Sequence, residues 1–282
     1  MAPSVLIIGA SGNFGRPLVD EFIKNLSKFS KVGILTASSP LKFDEQKSRG
    51  IQVVAGSLLD PASYRGFDIV ISLAGNSIMR LQPAMIEAAV IAGVTHFYPS
   101  EFGSDVGIEA LREFRYFRDK RVTRDHLVAT AKKNSDFKYT LLITGPFTEW
   151  AVDALYGVDK DTKTVNAIAR YTVESTLLPL KPGQQKREIR VVGESTTFQG
   201  LVDALGEVEG VKYKSIYWLT KDALVEQEKA QRAEDEERVL YWSVRTLGAS
   251  GNAVIGGPSD NDKFGFTPET ARETFQRVYG KH

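Results

Sequence analysis

Apolar runs alternate with amphipathic stretches through the first half of the chain. Val5–Ile8 is apolar without interruption, which predicts a strand covered on both faces. The glycine-rich turn Gly9–Gly15 follows it. Behind the turn, apolar residues recur at helical spacing at Leu18, Val19, Phe22, Ile23 and Leu26. This stretch therefore predicts a strand, a tight turn and a helix.

The same alternation continues to about residue 145. Further strands are predicted at Val32–Thr36, Ile51–Ala55, Asp68–Ala74, Thr95–Tyr98 and Tyr139–Thr144. A helix is predicted around Pro83–Ala92, where the proline suits a first turn. Strands that alternate with helices favour an α/β fold, a Rossmann-like doubly wound parallel sheet.

Beyond Gly145 the alternation fades. We expect a nucleotide-binding domain over residues 1–145 and a smaller C-terminal substrate domain over 146–282, with a strand-like stretch at 187–192 that could return to the sheet. Residues 221–238 predict one highly charged, solvated helix, and residues 268–279 a final amphipathic helix. The pentapeptide Gly248–Asn252 repeats the start of the glycine-rich turn but follows no apolar run, so we predict an ordinary turn there.

The first glycine-rich turn carries the spacing G-x-x-G-x-x-G. Gly9 allows a sharp turn, Gly12 lets a pyrophosphate approach the backbone, and Gly15 allows helix and strand to pack closely. The helix start adds N–H groups and a positive dipole end. The alternative is a plain tight turn. The predicted cofactor contacts here are Gly9, Ser11, Gly12, Asn13, Phe14 and Gly15.

The end of the second strand bears on the choice of dinucleotide. NAD sites place a carboxylate there to hold the ribose 2′-hydroxyl, whereas the first acid after this chain's second strand is Asp44. Ser38, Ser39 and Lys42 would accept a 2′-phosphate, which favours NADP(H) over NAD(H). The alternative is that the serines only shape a turn before Pro40.

Ligands of doubly wound sheets lie at the carboxyl ends of the strands. Gly75 and Asn76 follow the fourth predicted strand, and Pro99 and Ser100 follow the fifth. We add these four residues to the predicted cofactor contacts.

Tyr116 and Lys120 stand four residues apart and would share a helix face. A lysine beside a phenol or a cationic ring can serve as a general acid–base near neutral pH. The alternative is a solvated helix surface, since arginines recur along this stretch.

Composition narrows the function classes. The 282 residues carry a net charge of +1 and no cysteine, which argues against nucleic acid as a partner and against disulfides or thiolate chemistry. His96, His126 and His282 lack metal-ligand spacing, so no metal is expected. Val5–Ile8 is too short for a signal peptide, and no apolar stretch reaches the ~20 residues that a bilayer requires. We therefore expect a cytoplasmic protein without a membrane partner.

The stretch Phe97–Gly103 contains the sequence P-S-E-F-G. Together with the spaced glycines, Gln82, Phe117-x-x-Lys120 and Gly145–Phe147, it resembles the isoflavone, phenylcoumaran benzylic ether and pinoresinol–lariciresinol reductases and their fungal, NmrA-like relatives. The resemblance covers about residues 4–150. It implies an atypical short-chain dehydrogenase fold that uses NADPH, Lys120 as the proton-transferring group, and a phenolic substrate held between the two domains.

From this resemblance we expect a reductase of a small aromatic metabolite, acting as a monomer or homodimer. Phe102, Phe147, Trp150 and Tyr156 are the predicted substrate wall, with core packing as the alternative for each. Two departures from the family are an absent arginine after the second strand and a small domain that is shorter before Ala167. The alternative function is an NmrA-like redox sensor that binds dinucleotide without turnover.

Overall fold

The computed structural model describes residues 2–111, 114, 117–148, 167–214, 220–251 and 253–280. Its strands form a seven-stranded sheet in the order β3-β2-β1-β4-β5-β6-β7. They are β1 (Ser4–Ile8), β2 (Lys31–Thr36), β3 (Gln52–Ala55), β4 (Ile69–Ser72), β5 (His96–Tyr98), β6 (Lys138–Ile143) and β7 (Lys186–Arg190). The first six pair in parallel, which confirms the predicted Rossmann-like sheet.

The helices connect these strands and continue beyond them. They are α1 (Gly15–Lys24), α2 (Asp44–Ser48), α3 (Gln82–Ile91), α4 (Arg118–Lys133), α5 (Ala167–Leu177), α6 (Phe198–Glu209), α7 (Thr220–Arg232), α8 (Glu236–Ala249) and α9 (Ala271–Tyr279). The chain order reverses between β1 and β4, whose carboxyl ends lie side by side. Doubly wound sheets bind ligands at this switch point.

The chain divides into two compact units. The first comprises Met1–Phe102, Asp119–Leu142 and Ile168–Ile189, and the second comprises Gly103–Arg118, Ile143–Ala167 and Arg190–His282. The functional division at residue 145 stays a prediction.

The core of the first unit explains the uninterrupted apolar strands. All five residues of β1 are buried, so both faces of that strand are covered. One face packs against α3 and α4, where Leu6, Val70 and Phe97 meet Met85 and Leu127.

A buried arginine links β7 to the rest of the first unit. Arg187 donates from Nη2 to the Tyr98 hydroxyl at 2.6 Å and from Nε to Thr140 Oγ1 at 3.1 Å. His96 stacks on Tyr98 with 4.9 Å between ring centroids, and its Nε2 lies 2.8 Å from Thr140 Oγ1. Burial, with the cations of Arg187 and Lys138 nearby, lowers the pKa of His96 to about 3. These contacts give His96 a structural place inside the sheet.

In the second unit, α6 packs against α9 through Val202, Leu205, Ala271 and Phe275. Helix α7 packs against α8, and the buried Gln227 amide donates to Ser243 Oγ at 2.8 Å.

The structure corrects the helix predicted over 221–238. Helix α7 ends at Arg232, Glu234 adopts a φ of 55°, and α8 starts at Glu236. The Asp235 carboxylate accepts from the Arg238 N–H at 3.0 Å and caps the new helix. The sequence did not predict this break between the two helices, because charged residues continue through it without a change in pattern. Of the predicted turn at 248–252, Gly248 and Ala249 are instead the last residues of α8.

Over the described ranges, we find no helix with the length and apolar character that spanning a membrane would take.

Candidate active site

The glycine-rich turn closes tightly onto its neighbours. Gly9 has a φ of +86°, and a Cβ there would lie 2.7 Å from the Leu73 carbonyl oxygen. A Cβ at Gly15 would lie 2.2 Å from the Gly9 carbonyl oxygen. These two positions therefore require glycine for the turn itself. Ser11, Gly12 and Asn13 are exposed at the top of the turn, whereas Phe14 is buried.

Helix α1 presents its N-terminus to this turn. Its N-cap residue is Phe14, whose side chain makes no capping hydrogen bond in the described structure. The Arg16 N–H already donates to the Gly12 carbonyl at 3.1 Å. The positive dipole end of the helix lies next to the exposed turn, and that polarity is suited to a phosphate.

A cavity of about 260 Å³ lies between the glycine-rich turn and the end of β2. Its lining residues are Ile8, Gly9, Ala10, Ser11, Leu35, Thr36, Ala37, Ser38, Lys42, Phe43, Leu58 and Ile78. The structure therefore brings Ser38 and Lys42 to the same cavity as Gly9 and Ser11. Among these described lining residues none is acidic.

The two predicted serines differ in their surroundings. Ser38 Oγ lies 3.0 Å from Thr36 Oγ1 at the cavity wall. Ser39 Oγ instead accepts from the Leu41 N–H at 3.4 Å and caps a short 3₁₀ turn. Lys42 is exposed, with Nζ 5.1 Å from the Phe43 ring centroid. The turn-shaping alternative thus describes Ser39 better than Ser38.

The loops after β4 and β5 are tied to each other. Ser100 donates from its hydroxyl to the Ala74 carbonyl at 2.9 Å and from its N–H to Gln82 Oε1 at 2.8 Å. Gln82 is fully buried, and its amide donates to Thr123 Oγ1 of α4 at 3.5 Å. In this structure the polar groups of Ser100 hold the loops together. Of the other contacts predicted here, Gly75 and Asn76 are exposed and Pro99 is buried.

A tight turn continues this loop. The Glu101 N–H donates to the Pro99 carbonyl at 2.7 Å. Phe102 follows with a φ of +28°, a strained value for a residue with a side chain. Its ring lies 5.0 Å from the ring of Phe14, centroid to centroid. The loop after β5 therefore contacts the glycine-rich turn directly.

Lys120 lies in the first turns of α4 and is buried. Its Nζ donates to the carbonyl oxygen of Glu101. Burial lowers the pKa of the Lys120 ammonium, the Glu101 carboxylate opposes this change and the Arg124 guanidinium adds to it. A lysine in this state gives up its proton more readily than one on the surface.

The Glu101 side chain makes a second, independent contact with α4. Its carboxylate accepts from Arg124 Nε at 2.8 Å and from Arg124 Nη2 at 2.9 Å. The Glu101 side chain is only 2% exposed and that of Arg124 15%. Sequence reasoning did not assign a role to this pair, although Glu101 lies within P-S-E-F-G and Arg124 stands one helical turn after Lys120.

The remaining predicted residues belong to the second unit or fall outside the described residues. Phe147 is 7% exposed and belongs to the second unit. Tyr116, Trp150 and Tyr156 fall outside the described residues. Helix α4 carries Lys120, and the shared helix face predicted for Tyr116 and Lys120 stays a prediction.

Comparison with known proteins identifies the family to which this chain belongs. The model of the NmrA-like family matches residues 1–182. Oxidoreductase aprR of Aspergillus flavus is 31% identical over 160 residues, which cover 56% of this chain and 53% of that protein. An isoflavone reductase homolog of Solanum tuberosum is 37% identical over 111 residues, or 36% of each chain. The chain thus matches about half, or less, of the length of these curated relatives.

Solved structures share the fold over nearly the whole chain. A crystal structure of isoflavone reductase matches with a TM-score of 0.76 at 22% identity, covering 98% of this chain and 99% of the other. The binary complex of leucoanthocyanidin reductase with NADPH from Vitis vinifera has a TM-score of 0.77 at 18% identity, covering 97% and 98%.

Proposed function

This chain belongs to the NmrA-like family, and we propose that it is an NADPH-dependent reductase of a small aromatic metabolite. One observation carries the proposal. Contacts run without interruption from the glycine-rich turn to a buried lysine: Phe14 packs on Phe102, and the adjoining Glu101 carbonyl accepts from Lys120. A dinucleotide held by the turn would therefore lie within the same unit as a proton-transferring group.

The cavity beside the turn supports NADPH over NADH. Its described lining includes the residues Ser38 and Lys42 and no acidic residue. A carboxylate there would hold a ribose 2′-hydroxyl and repel a 2′-phosphate, whereas a lysine attracts it. The leucoanthocyanidin reductase structure, which is a complex with NADPH, adds to this argument.

Reduction needs a hydride and a proton. NADPH, when bound, supplies the hydride. The Lys120 ammonium then gives its proton from Nζ to a substrate oxygen as negative charge develops there, and the lowered pKa favours this transfer near neutral pH. The Glu101 carbonyl orients Nζ. Tyr116, the other catalytic residue predicted from the sequence, would be an additional proton donor.

The aromatic class of the substrate rests on the relatives and on one described side chain. The potato relative is named as an isoflavone reductase homolog. The Phe102 ring stands beside the turn and could stack on an aromatic substrate. Phe147, Trp150 and Tyr156 remain proposed members of the substrate wall.

A titration tests the cofactor assignment. We expect intrinsic fluorescence of the full chain to report tighter binding of NADPH than of NADH. Ser38→Asp should weaken NADPH binding tenfold or more without the same loss for NADH, because it places a carboxylate at the cavity wall. Ser48→Asp adds the same charge to an exposed position on α2 and serves as the control. Equal weakening of both nucleotides by Ser38→Asp would contradict a 2′-phosphate site at this cavity.

A turnover screen separates the reductase from the redox sensor. NADPH oxidation is measured with aromatic ethers and enones, and products are identified. Binding that responds to the redox state of the nucleotide, with no turnover across the screen, would favour the sensor, which the shortened stretch before Ala167 already makes a candidate. Absence of binding by any pyridine nucleotide would refute both functions.

A further inference from the structure

Lys120 and Arg124 stand one helical turn apart and face the same loop residue. Glu101 accepts from Lys120 with its backbone carbonyl and from Arg124 with its carboxylate. The two charge-assisted hydrogen bonds to Arg124 are parallel, at 2.8 and 2.9 Å. This fork geometry fixes the direction of the carboxylate more firmly than a single contact would.

A buried ion pair of this kind is not an efficient way to stabilise a fold. Removing two charges from water costs free energy that their mutual attraction does not always repay, and apolar replacements are often as stable. The pair does, however, confine the Glu101 backbone, because its side chain cannot rotate without losing both bonds. The Glu101 carbonyl, which accepts the hydrogen bond from Lys120 Nζ, is part of that backbone and is confined too.

The same two residues dominate the charge around Lys120. After burial, the largest effects on the Lys120 pKa among the described residues come from the Glu101 carboxylate of the loop after β5 and from the Arg124 guanidinium of α4. Burial lowers the Lys120 pKa most. The Glu101 carboxylate raises this pKa, and the Arg124 guanidinium lowers it further.

We propose that Glu101 and Arg124 are positioning residues for Lys120, holding its Nζ on a fixed carbonyl and balancing the charge beside it for proton transfer. This inference rests on the proposed role of Lys120 in the reductase. It assigns to the P-S-E-F-G glutamate a function that its burial alone would not indicate.

The test follows the titration of Lys120 itself. The full chain is labelled with carbon-13 at lysine Cε, and the Lys120 signal is identified by its loss in Lys120→Met. Arg124→Met removes the cation and frees the carboxylate, so the titration midpoint should rise by about 1 pH unit or more. Glu101→Gln removes the anion, so the midpoint should fall. Lys132→Met removes a charge from the exposed end of the same helix and should leave the midpoint close to that of the parent protein.

The proposal is supported if the Lys120 titration midpoint rises in Arg124→Met and falls in Glu101→Gln. It is overturned if both midpoints move in the same direction or neither moves. Arg124→Lys and Glu101→Asp keep the two charges but lose the paired hydrogen bonds between them. These variants replace Arg124→Met and Glu101→Gln if the latter do not fold. We expect these two to keep the midpoint and the NADPH KM while kcat falls tenfold or more, and an unchanged kcat would overturn the positioning role. If the midpoints move as expected but Lys120→Met retains full turnover, the proposed reductase mechanism fails and the coupling of the three residues stands.

Discussion

Lys120 is the residue on which the proposed chemistry depends. It is a buried ammonium whose described partner is a carbonyl oxygen rather than a carboxylate. A methionine of similar length would remove the proton donor and would relieve the cost of desolvating a charge.

We therefore predict that Lys120→Met lowers kcat by about 10²- to 10⁴-fold, the usual contribution of a general acid. NADPH affinity by fluorescence titration and the thermal midpoint should stay near those of the parent protein. Lys132→Met, at the exposed end of the same helix, is the matched control. Full activity in Lys120→Met would remove the lysine from the mechanism.

At the same scale, the sequence predicted single residues well where backbone geometry requires one residue type. Gly9 and Gly15 are such cases, because any Cβ at these positions meets a carbonyl oxygen. Hydrogen-bond partners that are far apart in the sequence could not be predicted from local residue patterns. Gln82 and Ser100 are 18 positions apart, and Glu101 and Arg124 are 23 apart, so only the folded sheet brings them together.

Among the elements, the strands were predicted more fully than the helices of the second half. Largely apolar runs mark β1, β2, β4 and β6, since most residues of each are buried in the sheet. Helix α6 was missed although its sequence carries both end signals. Thr197 accepts from the Gly200 N–H at 3.0 Å at its start, and Gly210 adopts a φ of +71° after its end.

The cap of α6 gives a prediction at this scale. Thr197→Ala should lower the free energy of unfolding by about 1 kcal/mol, because a first-turn N–H loses its acceptor. Thr197→Ser keeps the hydroxyl and should lose much less. Urea denaturation followed by circular dichroism measures both. Equal losses in the two variants would mean that the threonine methyl group, rather than the cap, stabilises the helix.

For the molecule as a whole, the buried network of His96, Tyr98, Thr140 and Arg187 predicts how the first unit responds to acid. The folded protein keeps His96 neutral, with a pKa of about 3, whereas an unfolded chain protonates it near 6.5. Between these values the unfolded state binds the additional proton, so stability falls as the pH falls.

We expect the thermal midpoint to decrease from about pH 6.5 downward, with a smaller decrease in His96→Asn. Asparagine keeps a polar group near Thr140 but does not titrate. Identical acid profiles in His96→Asn and the parent would assign the loss of stability to other groups.

Strand β7 follows β6 by more than 40 residues in the chain, and this determines where the protein can be truncated. A fragment cut at residue 145 would retain every strand up to β6 but would lose the segment that covers the outer margin of the sheet. The backbone of β6 would then be open to pairing with another molecule, and the Tyr98 hydroxyl would lose the guanidinium that now donates to it. Such a fragment should be recovered mainly as aggregate, whereas one that extends past Arg190 should be soluble in larger yield. Soluble, monodisperse material from the shorter fragment in size-exclusion chromatography would mean that the sheet tolerates an open edge.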